Sequence, residues 1–304
     1  MSTTPTDQPA SPPAILATAV VPWTAEWKFD AETFRRQVQT IARGLTRHIY
    51  IFGTAGEGYA VTDTQFREVA SCFWKVAQEE GVAPMLGVIS LSLPTIVERI
   101  AWAREAGYRD FQLSLPAWGA LNDRELDVFF AETCGRFPDC RFLHYNLARA
   151  GRVLTPADYR RLIAVHPNLV AVKWSLSDPV VIGEAMALSP RLRFYFTERG
   201  YVEGRKRGDC GLLISLSSVH PARAKRYVAA DEATRQQMFT EIQGIGRALK
   251  EACGGRCHID GAFDKMLFRV SDRTFPLRLL PPYQGATDAD FATFIAALPA
   301  EWRQ

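Results

Sequence analysis

No stretch of about 18 consecutive apolar residues occurs in this chain, so no membrane-spanning helix is expected. Net charge is nearly absent as well: 36 Lys and Arg against 33 Asp and Glu leave only +3, too small a surplus for a nucleic-acid-binding surface. The basic clusters at Arg205–Arg207 and Arg223–Arg226 are expected on solvated helix faces. The six cysteines (Cys72, Cys134, Cys140, Cys210, Cys253 and Cys257) include no CxxC pair, and a chain of this size has no need of disulfides. Idle thiols in a reducing, cytoplasmic setting are the expectation. Cys253, Cys257 and His258 come nearest to a metal-binding pattern but lack a second half, so no metal is expected. No cationic start precedes an apolar stretch, which argues against a signal peptide. Residues 1–14 are instead rich in Ser, Thr and Pro and read as a loose tail.

What is present is a regular alternation. Apolar, often β-branched runs at Ile15–Val21, His48–Phe52, Pro84–Ile89, Phe111–Leu115, Arg141–Tyr145, Leu169–Ser175, Arg193–Phe196 and Gly211–Ser215 read as strands. Helices fall between them, with start signals at Asp30, Thr62 or Asp63, Thr155-Pro156 and Asp178-Pro179. The helix around Tyr201–Arg207 is short and unusually charged. So many alternations with short connections predict the α/β class and a closed (β/α)8 TIM barrel over residues 15–232, where an open sheet would show fewer strands or a phosphate loop. Residues 233–304 read as a C-terminal extension of three helices, able to cover a barrel face or build a subunit contact.

In such barrels reacting groups lie at the carboxyl ends of strands. Those ends carry Thr54, Trp118, Tyr145, Lys173, Glu198 and Ile214-Ser215. Lys173 follows a buried run, Leu169-Val170-Ala171-Val172, and burial is expected to lower its pKa and free the amine as a nucleophile. The other reading has it snorkelling outward or paired with an acid. Tyr145, at a corresponding depth on the adjacent strand, can face it, which suits amine chemistry on a carbonyl with a phenol carrying protons. Gly53–Gly58 is either a tight strand-to-helix turn or a set of backbone N–H groups aimed at a carboxylate, and its spacing is not a dinucleotide fingerprint. Trp118 and Trp174 are expected near the mouth, where packing on the barrel rim or on a neighbouring subunit is one reading of them. Glu198, within Thr197-Glu198-Arg199-Gly200, puts charge there.

Gly53-Thr54-Ala55-Gly56-Glu57-Gly58, Tyr145-Asn146 with Gly151, Val172-Lys173-Trp174-Ser175 and Ile214-Ser215, in this order and spacing, resemble the dihydrodipicolinate synthase/N-acetylneuraminate lyase family of barrel aldolases, from about Ile15 to about Leu280. The resemblance implies a class I mechanism in which Lys173 forms a Schiff base with pyruvate or another 2-oxo acid. Tyr145 then shuttles protons, Thr54 orients that tyrosine, and the Gly53–Ala55 backbone receives the carboxylate at Thr54 and Ala55. Ile214 lies beside the keto acid, and Arg149 matches an arginine that holds a second substrate's carboxylate. It also implies a homotetramer or homodimer and no cofactor.

The chain departs from that pattern as well. Ala55 stands where the dihydrodipicolinate-forming members carry a second hydroxyl. Pro116-Ala117-Trp118-Gly119 replaces a Pro-Tyr-Tyr stretch whose tyrosine crosses a dimer interface, and an indole cannot relay a hydroxyl proton. The loop Leu147–Gly151 is one residue short, and Trp174 takes the place of an acid. The donor half therefore looks retained and the acceptor half rebuilt. The expectation is a Schiff-base lyase or aldolase joining or releasing a 2-oxo acid and an aldehyde, distinct from a typical dihydrodipicolinate synthase. The alternatives are a sugar-acid or hydroxy-acid dehydratase using the same imine, or a non-catalytic 2-oxo acid-binding barrel.

Overall fold

The computed structural model describes residues 14–214 and 220–303. The tail assigned to residues 1–14 lies outside them except for Ala14, whose carbonyl accepts the Leu212 N–H at 2.8 Å.

Eight parallel strands close into a barrel in sequence order: β1 (Ile15–Thr18), β2 (His48–Ile51), β3 (Ala83–Gly87), β4 (Asp110–Leu113), β5 (Arg141–Asn146), β6 (Leu169–Trp174), β7 (Arg193–Phe196) and β8 (Gly211–Ile214). Closure comes from β8 pairing with β1, Leu212 opposite Ile15 and Ile214 opposite Ala17. β1 stops at Thr18, shorter than its apolar run, because residues 19–21 leave the sheet while staying buried.

The helices α1 (Ala31–Gly44), α2 (Asp63–Glu80), α3 (Leu93–Glu105), α4 (Asp123–Phe130), α5 (Pro156–Val165), α6 (Pro179–Met186), α7 (Glu198–Arg205) and α8 (Pro221–Ala229) ring the barrel. Their starts are set locally. Asp30 accepts the Thr33 N–H at 3.0 Å, Thr62 and Thr155 make capping boxes with Gln65 and Asp158, and Asp178 caps α6. Beyond the barrel, α9 (Glu232–Cys253), α10 (Asp260–Ser271) and α11 (Asp288–Ala297) follow, with α9 packed on α7 and α11. No helix among the described residues is long and apolar enough to cross a membrane.

Two apolar regions result. The larger lies between barrel and helices, and a small one fills the barrel with Leu16, Tyr50, Leu143, Ala171, Tyr195 and Leu213. A bulge in β6 decides what reaches the interior. Phe142 pairs with Leu169 but Leu143 with Ala171, so Val170 is an extra residue in the ladder. Beyond the bulge Val172 and Trp174 pack outward, while Ala171 joins the interior cluster and Lys173 reaches the cavity above it.

Candidate active site

Lys173 and Tyr145 are register partners at the top of β6 and β5. The Lys173 Nζ donates to the Tyr145 hydroxyl at 3.0 Å and lies 4.1 Å from the centre of the phenol ring. Across the barrel a second pair of register partners, Thr18 on β1 and Tyr50 on β2, also lines this cavity. The expected downward shift of the lysine does not occur. Burial does oppose its charge, but Tyr145 and Tyr50 together outweigh that and hold the amine above its ordinary value. Tyr50 is itself pushed up by burial, with Lys173 and Thr18 opposing. Val172 takes no part in this environment, since it faces the helices.

The glycine-rich turn is shaped by Phe52 and Tyr50. Phe52 and Glu57 adopt left-handed backbone at φ 61° and 58°. A Cβ at Gly58 would sit 2.2 Å from the Phe52 carbonyl oxygen, and one at Gly53 would sit 2.5 Å from the Tyr50 hydroxyl. Gly53 is thus the gap through which Tyr50 reaches the cavity. The Glu57 and Gly58 N–H groups close the turn on the Thr54 and Gly53 carbonyls at 3.2 and 3.3 Å. Among the described residues no backbone hydrogen bond uses the N–H of Thr54 or Ala55. Ala55 lines the cavity, while Thr54 is buried behind it. Glu57 fixes the turn from below: its carboxylate accepts from Trp23 Nε1 at 3.0 Å, from Lys265 Nζ and from the Leu280 N–H at 2.6 Å.

The cavity has a volume of about 470 Å³. One wall is the start of α7, Thr197-Glu198-Arg199. Burial raises the Glu198 carboxyl above the usual carboxylate range, with a backbone hydrogen bond at its own helix start and Lys173 opposing. The cover comes from α9 and α10, including Ile242, Leu249, Asp260 and Asp264. Arg149, in the short turn after β5, makes a two-pronged ion pair with Asp260 at 3.1 and 3.0 Å. Asn146 holds that turn by accepting from the Leu154 N–H and donating to the Leu154 carbonyl at 2.9 and 2.8 Å.

Both tryptophans lie elsewhere than at the mouth. Trp174 is fully buried in the barrel–helix layer, its ring centre 5.9 Å from Tyr159 and 5.7 Å from Phe194. The cause is strand parity: the residue after an inward lysine points outward. Trp118 is 90% exposed and lines no part of the cavity. Ile214 closes β8 opposite Ala17, its side chain outside the described residues along with Ser215. The residues that sequence reasoning missed are Thr18, Tyr50, Asp260, Asp264 and the inner face of α9. Tyr50 was within reach, because Ile49-Tyr50-Ile51 alternates with the wrong parity for an outward tyrosine. The α10 acids had no such signal.

Known proteins agree with this architecture. Over 153 residues, half of this chain and half of the relative, the sequence is 31% identical to a 4-hydroxy-tetrahydrodipicolinate synthase of Thermus thermophilus. The chain therefore spans about half the length of that curated relative. A second such synthase, from Exiguobacterium sibiricum, is 21% identical over 235 residues, covering 75% of this chain and 79% of its own. Among solved structures, a prophage protein of the dihydrodipicolinic acid synthase family from E. coli K12, in complex with pyruvate, shares the fold at TM-score 0.80 and 15% identity, covering 94% of this chain and 97% of that one. A dihydrodipicolinate synthase from Cyanidioschyzon merolae with lysine bound does so at TM-score 0.83 and 16% identity, covering 93% and 96%. The model of the dihydrodipicolinate synthetase family matches residues 12–228, ending within α8 and short of the Leu280 that the motif resemblance suggested. On that match, this chain belongs to the dihydrodipicolinate synthetase family.

Proposed function

We propose that the protein is a Schiff-base-forming lyase that joins or separates a 2-oxo acid such as pyruvate and an aldehyde. The observation that carries this reading is the Lys173 Nζ held 3.0 Å from the Tyr145 hydroxyl at the floor of an open cavity. The amine adds to the keto carbon, water leaves, and a protonated imine remains. That imine draws electrons from the adjacent carbon, which loses a proton to become an enamine. The enamine carbon bonds to the aldehyde carbon, whose oxygen takes up a proton, and water then releases the 4-hydroxy-2-oxo acid. Tyr145 moves the protons on and off at the lysine nitrogen and the carbinol oxygen, with Tyr50 beside it. The Thr54 and Ala55 N–H groups are the seat for the acid's carboxylate, as the family resemblance implies.

Ala55 and the outward Trp118 support a reaction other than typical dihydrodipicolinate formation. Residues 15–232 form the catalytic barrel and 233–304 its cover. Assembly is as a homodimer or homotetramer, and six free thiols suit a cytoplasmic setting. The second reading, a dehydratase, is supported by one observation: Glu198, a carboxyl raised by burial, lines the same cavity as Lys173 and would be the acid that protonates a departing hydroxyl.

The experiment is to mix the protein with pyruvate and borohydride and weigh it. A reduced adduct carried by Lys173 is the expected result. Its absence with pyruvate and with a panel of 2-oxo acids would leave a binding barrel instead. Condensation with aldehydes then separates the lyase from a dehydratase, which would release water from hydroxy acids.

A further inference from the structure

We infer that α9 builds the acceptor half of this site and that the acceptor is an aldehyde with an uncharged, apolar body. The inference rests on the Schiff-base reading and adds the identity of the second substrate's class. It comes from a part of the chain that the family match at residues 12–228 does not reach.

Phe239, Ile242, Gly246 and Leu249 recur at helical spacing on one face of α9, and all four line the cavity over Lys173. Leu267 of α10 continues the apolar wall. Gly246 is the informative member. A Cβ built there meets nothing within 4 Å, so the helix leaves free volume at this position. Glycine in a helix interior is unfavourable, and here its missing side chain opens the roof of the site. A cavity of about 470 Å³ exceeds what a three-carbon acid fills and falls in the range of pockets that bury a larger ligand.

Charge on this side argues against a second carboxylate. Arg149, the cation to which the family resemblance gives that role, is not among the cavity's lining residues and has its guanidinium engaged by Asp260 at 3.1 and 3.0 Å. On the α10 side the charged lining residues are the acids Asp260 and Asp264, while Glu198 and Arg199 stand side by side on the α7 wall. A carboxylated aldehyde seeking Arg149 would have to displace Asp260 from it. An apolar tail meets the α9 face and gains from every carbon it buries.

The test supplies pyruvate with acetaldehyde, butanal, hexanal, benzaldehyde, glyoxylate and succinic semialdehyde, and measures formation of the 4-hydroxy-2-oxo acid. In that product the new bond joins the pyruvate methyl carbon to the aldehyde carbon, and the proton lost by the first ends on the oxygen of the second. kcat/KM is expected to rise by roughly three- to fourfold per added methylene. The carboxylated aldehydes should trail hexanal at least tenfold. Gly246→Phe should lower the hexanal-to-acetaldehyde ratio at least tenfold, and Ile242→Ala, which enlarges the same wall, should raise the ratio of benzaldehyde to acetaldehyde. The inference is overturned if a carboxylated aldehyde is preferred or if both ratios stay put in the variants. Failure of the wild-type protein to trap pyruvate would instead remove the Schiff-base reading and this inference with it. A normal adduct without apolar preference removes this inference alone.

Discussion

Lys173 and Lys265 are both taken out of bulk water by the fold, and burial acts on each against its charge. Lys265 has no exposed surface, and its Nζ donates to the Glu57 carboxylate and to the Arg278 carbonyl at 2.6 Å. Burial wins there and lowers its pKa, with Glu57 opposing. Lys173 has a phenol at 3.0 Å instead, and the cavity lies on its other side. Around Lys265 the fixed partners and the buried surroundings leave nowhere for a substrate to approach. A phenol can give or take a proton, and a void admits a carbonyl. On the proposed reading, then, burial does not mark the reactive lysine; the kind of partner and the space beside it do. Lys265 has a different task, since through Glu57 it ties the turn of residues 53–58 to α10 and the segment after it.

The sharpest way to break this contrast is to remove each amine in turn. Lys173→Ala is expected to abolish the borohydride-trapped adduct outright while the thermal unfolding midpoint holds, and peptide mapping of the wild type should find label on Lys173 and none on Lys265. Label on Lys265 would dissolve the distinction. Lys265→Met leaves Glu57 charged and buried without its cation, and loss of about 3–5 kcal/mol of stability is expected in urea unfolding. The double variant Glu57→Gln/Lys265→Met should recover part of that loss, because it buries no charge.

Much of this was readable in the chain, and for physical reasons. Caps are local: Asp30, Thr62, Thr155 and Asp178 sit where their side chains must find N–H groups two or three residues on, and each starts a helix as read. Closure of the barrel followed from repeated alternation, and the Lys173–Tyr145 pair from two adjacent strand ends. What depended on parity was harder. A single bulge at Val170 changes which residues of β6 face inward, and Trp174, next to the inward Lys173, faces outward by simple alternation, against the expectation of a place at the mouth. Contacts between distant segments were out of reach. Nothing near Asp260 announces that it meets Arg149, 111 residues away, or that α9 roofs the site. The upward shift of the lysine differs from the sequence expectation because Tyr145 beside it is joined by Tyr50, which comes from the opposite side of the barrel.

That sign has its own consequence. With Lys173 held above its ordinary value, the ammonium dominates throughout the neutral range, and the reactive neutral amine becomes more abundant as pH rises. The second-order rate of adduct formation with pyruvate should climb between pH 6 and 9, approaching tenfold per unit, without levelling near neutrality. A plateau by about pH 8 would show a lysine lowered by burial, and so one governed as Lys265 is. Tyr145→Phe removes the largest of the raising groups. It is expected to shift the profile toward lower pH while cutting turnover by about 10²–10⁴, which separates proton transfer from mere packing.

The smallest effect expected concerns the tryptophans, where the same logic of facing direction applies. Trp174 fills the layer between barrel and helices, and Trp118 stands in solvent on the loop after β4. Surface substitutions away from special features change stability by no more than about 0.5 kcal/mol, so Trp118→Ala should leave unfolding almost unmoved. If the site of each chain is built as described, from β-strand ends, α7, α9 and α10 of that chain, the same variant should change adduct formation and aldehyde condensation less than about twofold. A loss of tenfold or more that deepened on dilution would show that Trp118 completes the site of a neighbouring copy. The acceptor wall would then have a member from outside the chain, and the α9 face would be only part of it.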